Sequence, residues 1–272
     1  MTTFAAAKCP NCGGELQVPN DRSTVRCMYC SGEVVVRQAI LAVAGGNVEN
    51  WMKLGLAAGN AGNYQEALAN FNKVLEVEPH NSRAWLGKGI SAGWLSNLSE
   101  CRLGEMISNF EEAIANAENG KTDELKAVCA EQINEVATSY NNLACKHLRQ
   151  FITVDVAWPE FLEQTMAAFG ALEIAHQLDP KNKVVLQNLV TILTDLIQGV
   201  AYNDTDGLGR PTRRVHKIKG EYAIKMTVTK TEYENKLKQL NPSYQAREIK
   251  KAKVGVGQTI LTLMRMFGLT RF

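Results

Sequence analysis

Four of the seven cysteines stand as two C-x2-C pairs, Cys9-Pro10-Asn11-Cys12 and Cys27-Met28-Tyr29-Cys30, with fourteen residues between the pairs. A two-residue spacer lets one tight turn aim both sulfurs at a single point. Two such turns supply four thiolates in the pattern of a structural zinc site. With all four positions taken by sulfur, none is left for a catalytic water, so a bound Zn2+ is expected to fold the segment rather than to react. Iron fits the same cage and is the second choice. The competing chemistries fit less well. The start, MTTFAAAKCP, has no basic segment followed by an apolar run, so no secretory signal is expected, and disulfides suit a secreted chain. A redox C-x-x-C needs one pair at a strand-to-helix junction rather than two paired turns.

The flanking residues suit a metal-bound turn. Gly13-Gly14 follows the first pair and Ser31-Gly32 the second, and glycine permits the positive φ that lets backbone wrap a bound sulfur. Residues 15–18 and 24–26 are expected as short strands around a turn at 19–22, with another strand at 33–36. Residues 8–37 resemble the zinc ribbon family, whose members often bind nucleic acid or protein. The first domain is therefore set at residues 1–37, with a linker at 38–48.

From residue 51 the chain reads WMKLGLAAGNAGNYQEALANFNKVLEVEPHN. Trp51, Leu54, Gly55, Ala58, Gly62, Tyr64, Ala67, Phe71, Val74 and Pro79 follow in order the pattern of the tetratricopeptide repeat, which this segment resembles. Trp51 and Trp85 stand 34 residues apart, the period of that family. Small residues (Gly55, Ala58, Ala67) let two antiparallel helices approach, and Leu54, Tyr64 and Phe71 are expected to fill the space between them. A second unit opens at Trp85 with Lys88, Gly89 and Ala92. Phe110 and Ala113 then fall five residues late, so the turn at 96–102 is extended, and Asn119-Gly120 closes the unit. A looser third unit takes Tyr140, Leu143 and Ala144 in its first helix and Ala168, Leu172 and Ala175 in its second, with an insertion at 151–159. Three closures read alike: Val77-Glu78-Pro79, Leu178-Asp179-Pro180 and Leu240-Asn241-Pro242. The fold class is mainly α, a solenoid of stacked helical hairpins over residues 49–200 behind a small β zinc ribbon. Residues 201–220 are expected as a basic loop or linker, and 221–272 as a C-terminal helical segment.

The resemblance implies a groove lined by each first helix: Met52, Leu56 and Asn60, then Leu86, Ile90 and Trp94, then Asn141, Cys145 and Arg149. Some family members grip a terminal carboxylate with Lys and Asn at such positions. The apolar side chains here imply a hydrophobic segment or amphipathic helix as the bound protein or peptide, or else a groove closed by the protein's own helices. Residues 257–272 would form a short amphipathic helix with Ile260, Leu261, Leu263, Met264 and Phe267 on one face. That tail is expected to dock on the repeats or to mediate self-association, and contact with a membrane surface is a weaker alternative.

No run approaches the roughly 20 apolar residues that span a bilayer, and a cytoplasmic location is expected by default. Residues 1–205 carry 15 Lys or Arg against 23 Asp or Glu, while residues 206–272 carry 15 against 5. The basic end suggests docking within the chain or an anionic partner. A nucleic-acid reading would use the ribbon with Arg210, Arg213, Arg214, Lys217, Lys219, Lys250, Lys251 and Lys253. It ranks second to a non-enzymatic interaction adaptor, because the ribbon itself is almost neutral. The four histidines are scattered and form no ligand motif. Cys101, Cys129 and Cys145 are expected as small buried hydrophobes. The 207–211 stretch, GLGRP, lacks the residues of a phosphate loop and is expected as a turn.

Overall fold

The computed structural model describes residues 4–19 and 21–246. The chain opens with two β-hairpins, β1 (Phe4–Lys8) with β2 (Glu15–Pro19) and β3 (Thr24–Arg26) with β4 (Glu33–Val35). Seven helices follow: α1 (Val36–Asn60), α2 (Tyr64–Val77), α3 (Ser82–Trp94), α4 (Leu103–Ala115), α5 (Thr122–Gln150), α6 (Ala157–Leu178) and α7 (Lys183–Gln198). A third hairpin, β5 (Val200–Thr205) with β6 (Pro211–His216), leads to α8 (Gly220–Leu240). Two compact units are formed, one of Met1–Leu95 with Glu105–Thr122, the other of Ser96–Gly104 with Asp123–Phe272.

The ribbon strands fall where expected, but their pairing differs. Residues 15–18 and 24–26 do not form one hairpin; each pairs across a cysteine turn, with β1 and β4 respectively. Strand β1 was not anticipated, because FAAAK has no β-branched residue to mark it. The expected linker at 38–48 is likewise absent as such. Those residues lie inside α1, which follows β4 directly and whose Val36 and Ala39 join the ribbon core beside Ala7, Leu16, Val18 and Val34. The helix start is hard to see in sequence, since its cap is Val35 with no side-chain cap bond, and Gly45-Gly46 disfavour a helix.

In the first unit the helix pairs are held by rings seated on glycine. Phe71 of α2 is buried, and a Cβ built on Gly55 or Gly87 would stand 2.8 or 2.4 Å from its ring. Phe110 of α4 sits on Gly89 in the same way, at 2.6 Å. Leu54, expected between the helices, is instead 44% exposed. Ser82 Oγ donates to the Ala113 carbonyl at 2.7 Å, linking α3 to α4.

The helix joints are built alike. Helices α2, α6 and α8 end at Val77, Leu178 and Leu240, one residue before each pre-proline position. The capping residues Glu78, Asp179 and Asn241 share an extended backbone, with φ of -121, -134 and -143° and ψ of 76, 85 and 88°. Proline disfavours the α region in the residue before it, which forces this shared stop. Two residues past the first two prolines, Asn81 and Asn182 cap α3 and α7 through their side-chain oxygens.

In the second unit, Val185, Leu186, Leu189, Val190, Leu193 and Leu196 of α7 are all buried. Asn188 donates to Asn134 Oδ1 of α5 at 2.8 Å, and Tyr233 of α8 donates to Glu173 of α6 at 2.8 Å. Lys230 and Glu234 form a nearly buried ion pair on α8 at 2.6 Å. The first helix of the third repeat is part of a longer continuous helix, α5, that starts at Thr122, and the insertion shrinks because α6 already begins at Ala157. Pro159 is tolerated there, in the first turn, where its missing N–H has no intrahelical partner to lose. Residues 201–220, expected as a loop, hold the β5–β6 hairpin. The amphipathic tail at 257–272 lies outside the described residues.

Candidate metal centre and partner-binding faces

Each cysteine pair occupies the loop of its own hairpin, and the two loops repeat one backbone design. The Cys9 amide donates to Gly14 O at 2.9 Å and the Gly13 amide to Cys9 O at 2.8 Å. The Cys27 amide donates to Gly32 O at 2.9 Å and the Ser31 amide to Cys27 O at 2.9 Å. The turn requires a positive φ at its fifth residue, 73° at Gly13 and 56° at Ser31. A Cβ on Gly14 would lie 2.5 Å from the Tyr29 ring, so the second knuckle's aromatic closes over the first knuckle's backbone.

The two loops bring four sulfurs together. Cys9 and Cys30 are 3.7 Å apart, as are Cys12 and Cys27, and all four sulfurs lie within 4.8 Å of one another. A tetrahedral thiolate cage with metal–sulfur bonds of about 2.3 Å has edges of about 3.8 Å, whereas a disulfide holds its sulfurs about 2.0 Å apart. The spacing excludes a disulfide and fits four ligands around a central ion. Electrostatics point the same way. Backbone N–H groups of Cys30 and Tyr29 draw the Cys27 thiol down to about 6. At Cys12 the Gly14 amide also favours the thiolate, but burial and the three neighbouring sulfurs push it up to about 12. Thiolates this close repel one another, and a cation at their centre removes that repulsion. Cys9 and Cys27 are buried while Cys12 and Cys30 are exposed, so one side of the cage faces solvent.

The remaining cysteines do not form a second cluster among the described residues. Cys129 is buried, and that burial raises its thiol to about 12. Cys145 is half-buried and also raised, chiefly by burial. Cys101 departs from the expected buried role: it is exposed, in the loop before α4. The GLGRP stretch forms the β5–β6 turn. Asp206 accepts the amides of Leu208 and Arg210, both at 2.9 Å, which with the Arg210 side chain hold its carboxyl below the usual range. The amides of Leu208, Gly209 and Arg210 are thus already engaged within the turn.

Residues 48–81 match the tetratricopeptide repeat family. The chain carries a tetratricopeptide repeat. The matched repeat spans the end of α1, all of α2 and the joint at Pro79. No curated protein matches the chain. Among solved structures it is similar to a crystal structure of MamA protein, at 11% identity, covering 76% of this chain and 99% of that one with a TM-score of 0.28. It is also similar to the MamA RS-1 ArsTM double mutant, at 13% identity, covering 72% and 96% with a TM-score of 0.27. Similarity this low carries nothing about arrangement or role.

The repeat and the unit after it leave their first-helix side chains at the surface. Leu56 is 42% exposed and Asn60 is exposed. Met52, Leu86, Ile90 and Trp94 are half-buried. Met52 also packs on the repeat's core, and Trp94 stacks on Tyr64 with ring centroids 5.9 Å apart. In the third pair, Asn141, Cys145 and Arg149 of α5 line a polar cleft of about 270 Å³ with Asn188 and Asp195 of α7. Of the basic residues, Arg210 pairs with Asp206 at 2.7 Å and Arg214 with Asp204 at 3.1 Å. Sequence reading did not find Gly87, although it closes on Phe71 more tightly than Gly55 does; it lies outside the repeat residues quoted for the second unit. Among the described residues no helix is long and apolar enough to cross a membrane.

Proposed function

We propose that this protein is a non-enzymatic interaction adaptor whose first-helix face, with Met52, Leu56, Asn60, Leu86, Ile90 and Trp94, takes an apolar or amphipathic helical segment of a partner protein. The observation that carries this reading is the apolar surface left on α1 and α3: Leu56 stays exposed on the first helix of the matched repeat, and Leu86 and Ile90 stay half-exposed on α3, the helix that follows it. The ribbon acts as a second contact module, tied by a structural Zn2+ at Cys9, Cys12, Cys27 and Cys30, with Cys12 and Cys30 on its open side. Four thiolates held for a metal suit a reducing compartment, here the cytoplasm.

The test is a set of helical peptides selected by display on the full chain, followed by affinity measurement on Leu56→Asp/Ile90→Asp. At least a tenfold loss is expected, with unchanged far-UV circular dichroism. Equal affinity on a folded variant removes the groove from the account. Binding to random DNA and RNA across a salt series is the counter-test, since micromolar affinity with a steep salt slope replaces the adaptor with a nucleic-acid binder. Elemental analysis should return one zinc per chain.

A further inference from the structure

Within the second unit, a cavity of about 570 Å³ opens between α6, the exit of β6 and the first turns of α8. Its volume lies in the ordinary range for small-molecule sites. Trp158, Leu162 and Met166, spaced by four along α6, form one apolar wall. Ile218, Tyr222 and Met226 form the opposite one. The floor is braced by a ladder of rings: His216 stacks on Trp158 at 5.3 Å and on Tyr202 at 4.6 Å between centroids. His216 Nε2 lies 3.2 Å from the Ile152 carbonyl oxygen, which only an N–H can satisfy. The apolar surface is left open, with Met166 39%, Val215 40% and Tyr222 73% exposed.

Among the described residues, the charged ones lining this cavity are Lys217 and Lys219. Neither wall contributes a carboxylate; Glu221, in the first turn of α8, is exposed beside the rim. The chain's own tail is a poor match in charge, because residues 247–272 carry Arg247, Lys250, Lys251, Lys253, Arg265 and Arg271 against Glu248 alone. We propose that this cavity is a binding site for a small anionic amphiphile, a medium-chain carboxylate whose hydrocarbon chain lies between α6 and α8 and whose head meets Lys217 and Lys219.

Dodecanoate below its micellar range, titrated into the full chain by calorimetry, tests the proposal. Saturable one-to-one binding is expected, at least tenfold tighter than dodecanol. Lys217→Glu/Lys219→Glu should weaken dodecanoate at least tenfold and leave dodecanol unchanged. Met166→Trp, placed at a partly exposed position so that folding is retained, should weaken both. Absence of saturable binding, equal affinity for the alcohol, or indifference to Met166→Trp overturns the site. A tenfold gain in dodecanoate affinity on Leu261→Asp/Met264→Asp overturns it in favour of the tail as occupant. A dimer that Met166→Trp dissociates, seen by sedimentation, overturns it in favour of a second copy.

Discussion

The ribbon and the first helix pairs both set two similar halves against each other, but they are held by different forces. In the ribbon the halves are two knuckles whose buried core includes Cys9 and Cys27 themselves, with small residues such as Ala7 and Ala39 around them. So small a core orders the strands weakly by itself, and a metal held by the four sulfurs would contribute much of the stability. In the helix pairs the halves meet through Phe71 and Phe110 pressed onto glycine backbone, where close packing supplies the stability and no ion is needed. The ribbon has a ring-on-glycine contact of its own, Tyr29 over Gly14, but its four-sulfur cluster has no counterpart among the described residues of the helix pairs, where such contacts leave almost no room for an added atom.

The largest expected effect separates the two regions outright. Chelation, or Cys9→Ser, should unfold β1–β4, since a structural zinc supplies on the order of 10 kcal/mol to small modules of this kind. Hydrogen exchange should then show residues 4–35 unprotected while α2, α3 and α7 keep their protection. Loss of the helices together with the ribbon breaks the comparison. Next in size, Phe71→Ala should cost about 3–5 kcal/mol, and Gly87→Ala, whose new Cβ meets the same ring, about 1–3 kcal/mol. Both are read from denaturant midpoints, and neither should change metal content. Smaller again, Asn81→Ala or Asn182→Ala removes a helix cap worth about 1 kcal/mol, visible as a shift in the same midpoint. An unmoved midpoint would show that the joints take their strength from elsewhere.

The smallest effect concerns pH. His176 is buried on α6, and burial, followed by the Lys236 ammonium 3.2 Å away, holds its imidazole below the ordinary value. The unfolded chain therefore takes up the proton first. The stability this group contributes is present above the unfolded value of about 6.5 and is lost as pH falls from there through the folded value. His176→Gln should flatten that part of the stability–pH curve, and an unchanged slope would assign the titration to another group.

The comparison also explains what could be read in the residues beforehand. The clustering of Cys9, Cys12, Cys27 and Cys30 was legible residue by residue, because the paired two-residue spacings aim their sulfurs at one point. The repeat was legible through Gly55, Phe71 and Pro79, because each answers a steric demand that few other residues meet. The hairpin pairing in the ribbon was not, since FAAAK carries no strand signal and the turn at 19–22 looked like the natural place to reverse. The continuity of α1 through residues 38–48 was hidden by Gly45-Gly46 and by the lack of a capping side chain. The β5–β6 hairpin was hidden by its charges: Arg210 and Arg214 looked like a solvated basic run, and only the fold shows them neutralised by Asp206 and Asp204. For the same reason the cavity beside Trp158 and Tyr222 was invisible, as its walls come from segments more than fifty residues apart.

The proline joints have one more consequence. The amides of Glu78, Asp179 and Asn241 each bond back into the preceding helix, to Val74, Ala175 and Leu237, while those of Asn81, Asn182 and Tyr244 bond to the capping residues' carbonyls. Such a joint is a hinge pin whose turn amides bond only to the helix it ends and to the turn itself, so those amides need nothing from the helix that follows. Lengthening a chain of this type by splicing in another helix hairpin at a joint therefore leaves the existing ones undisturbed, which makes the joint a natural point of growth and of engineering.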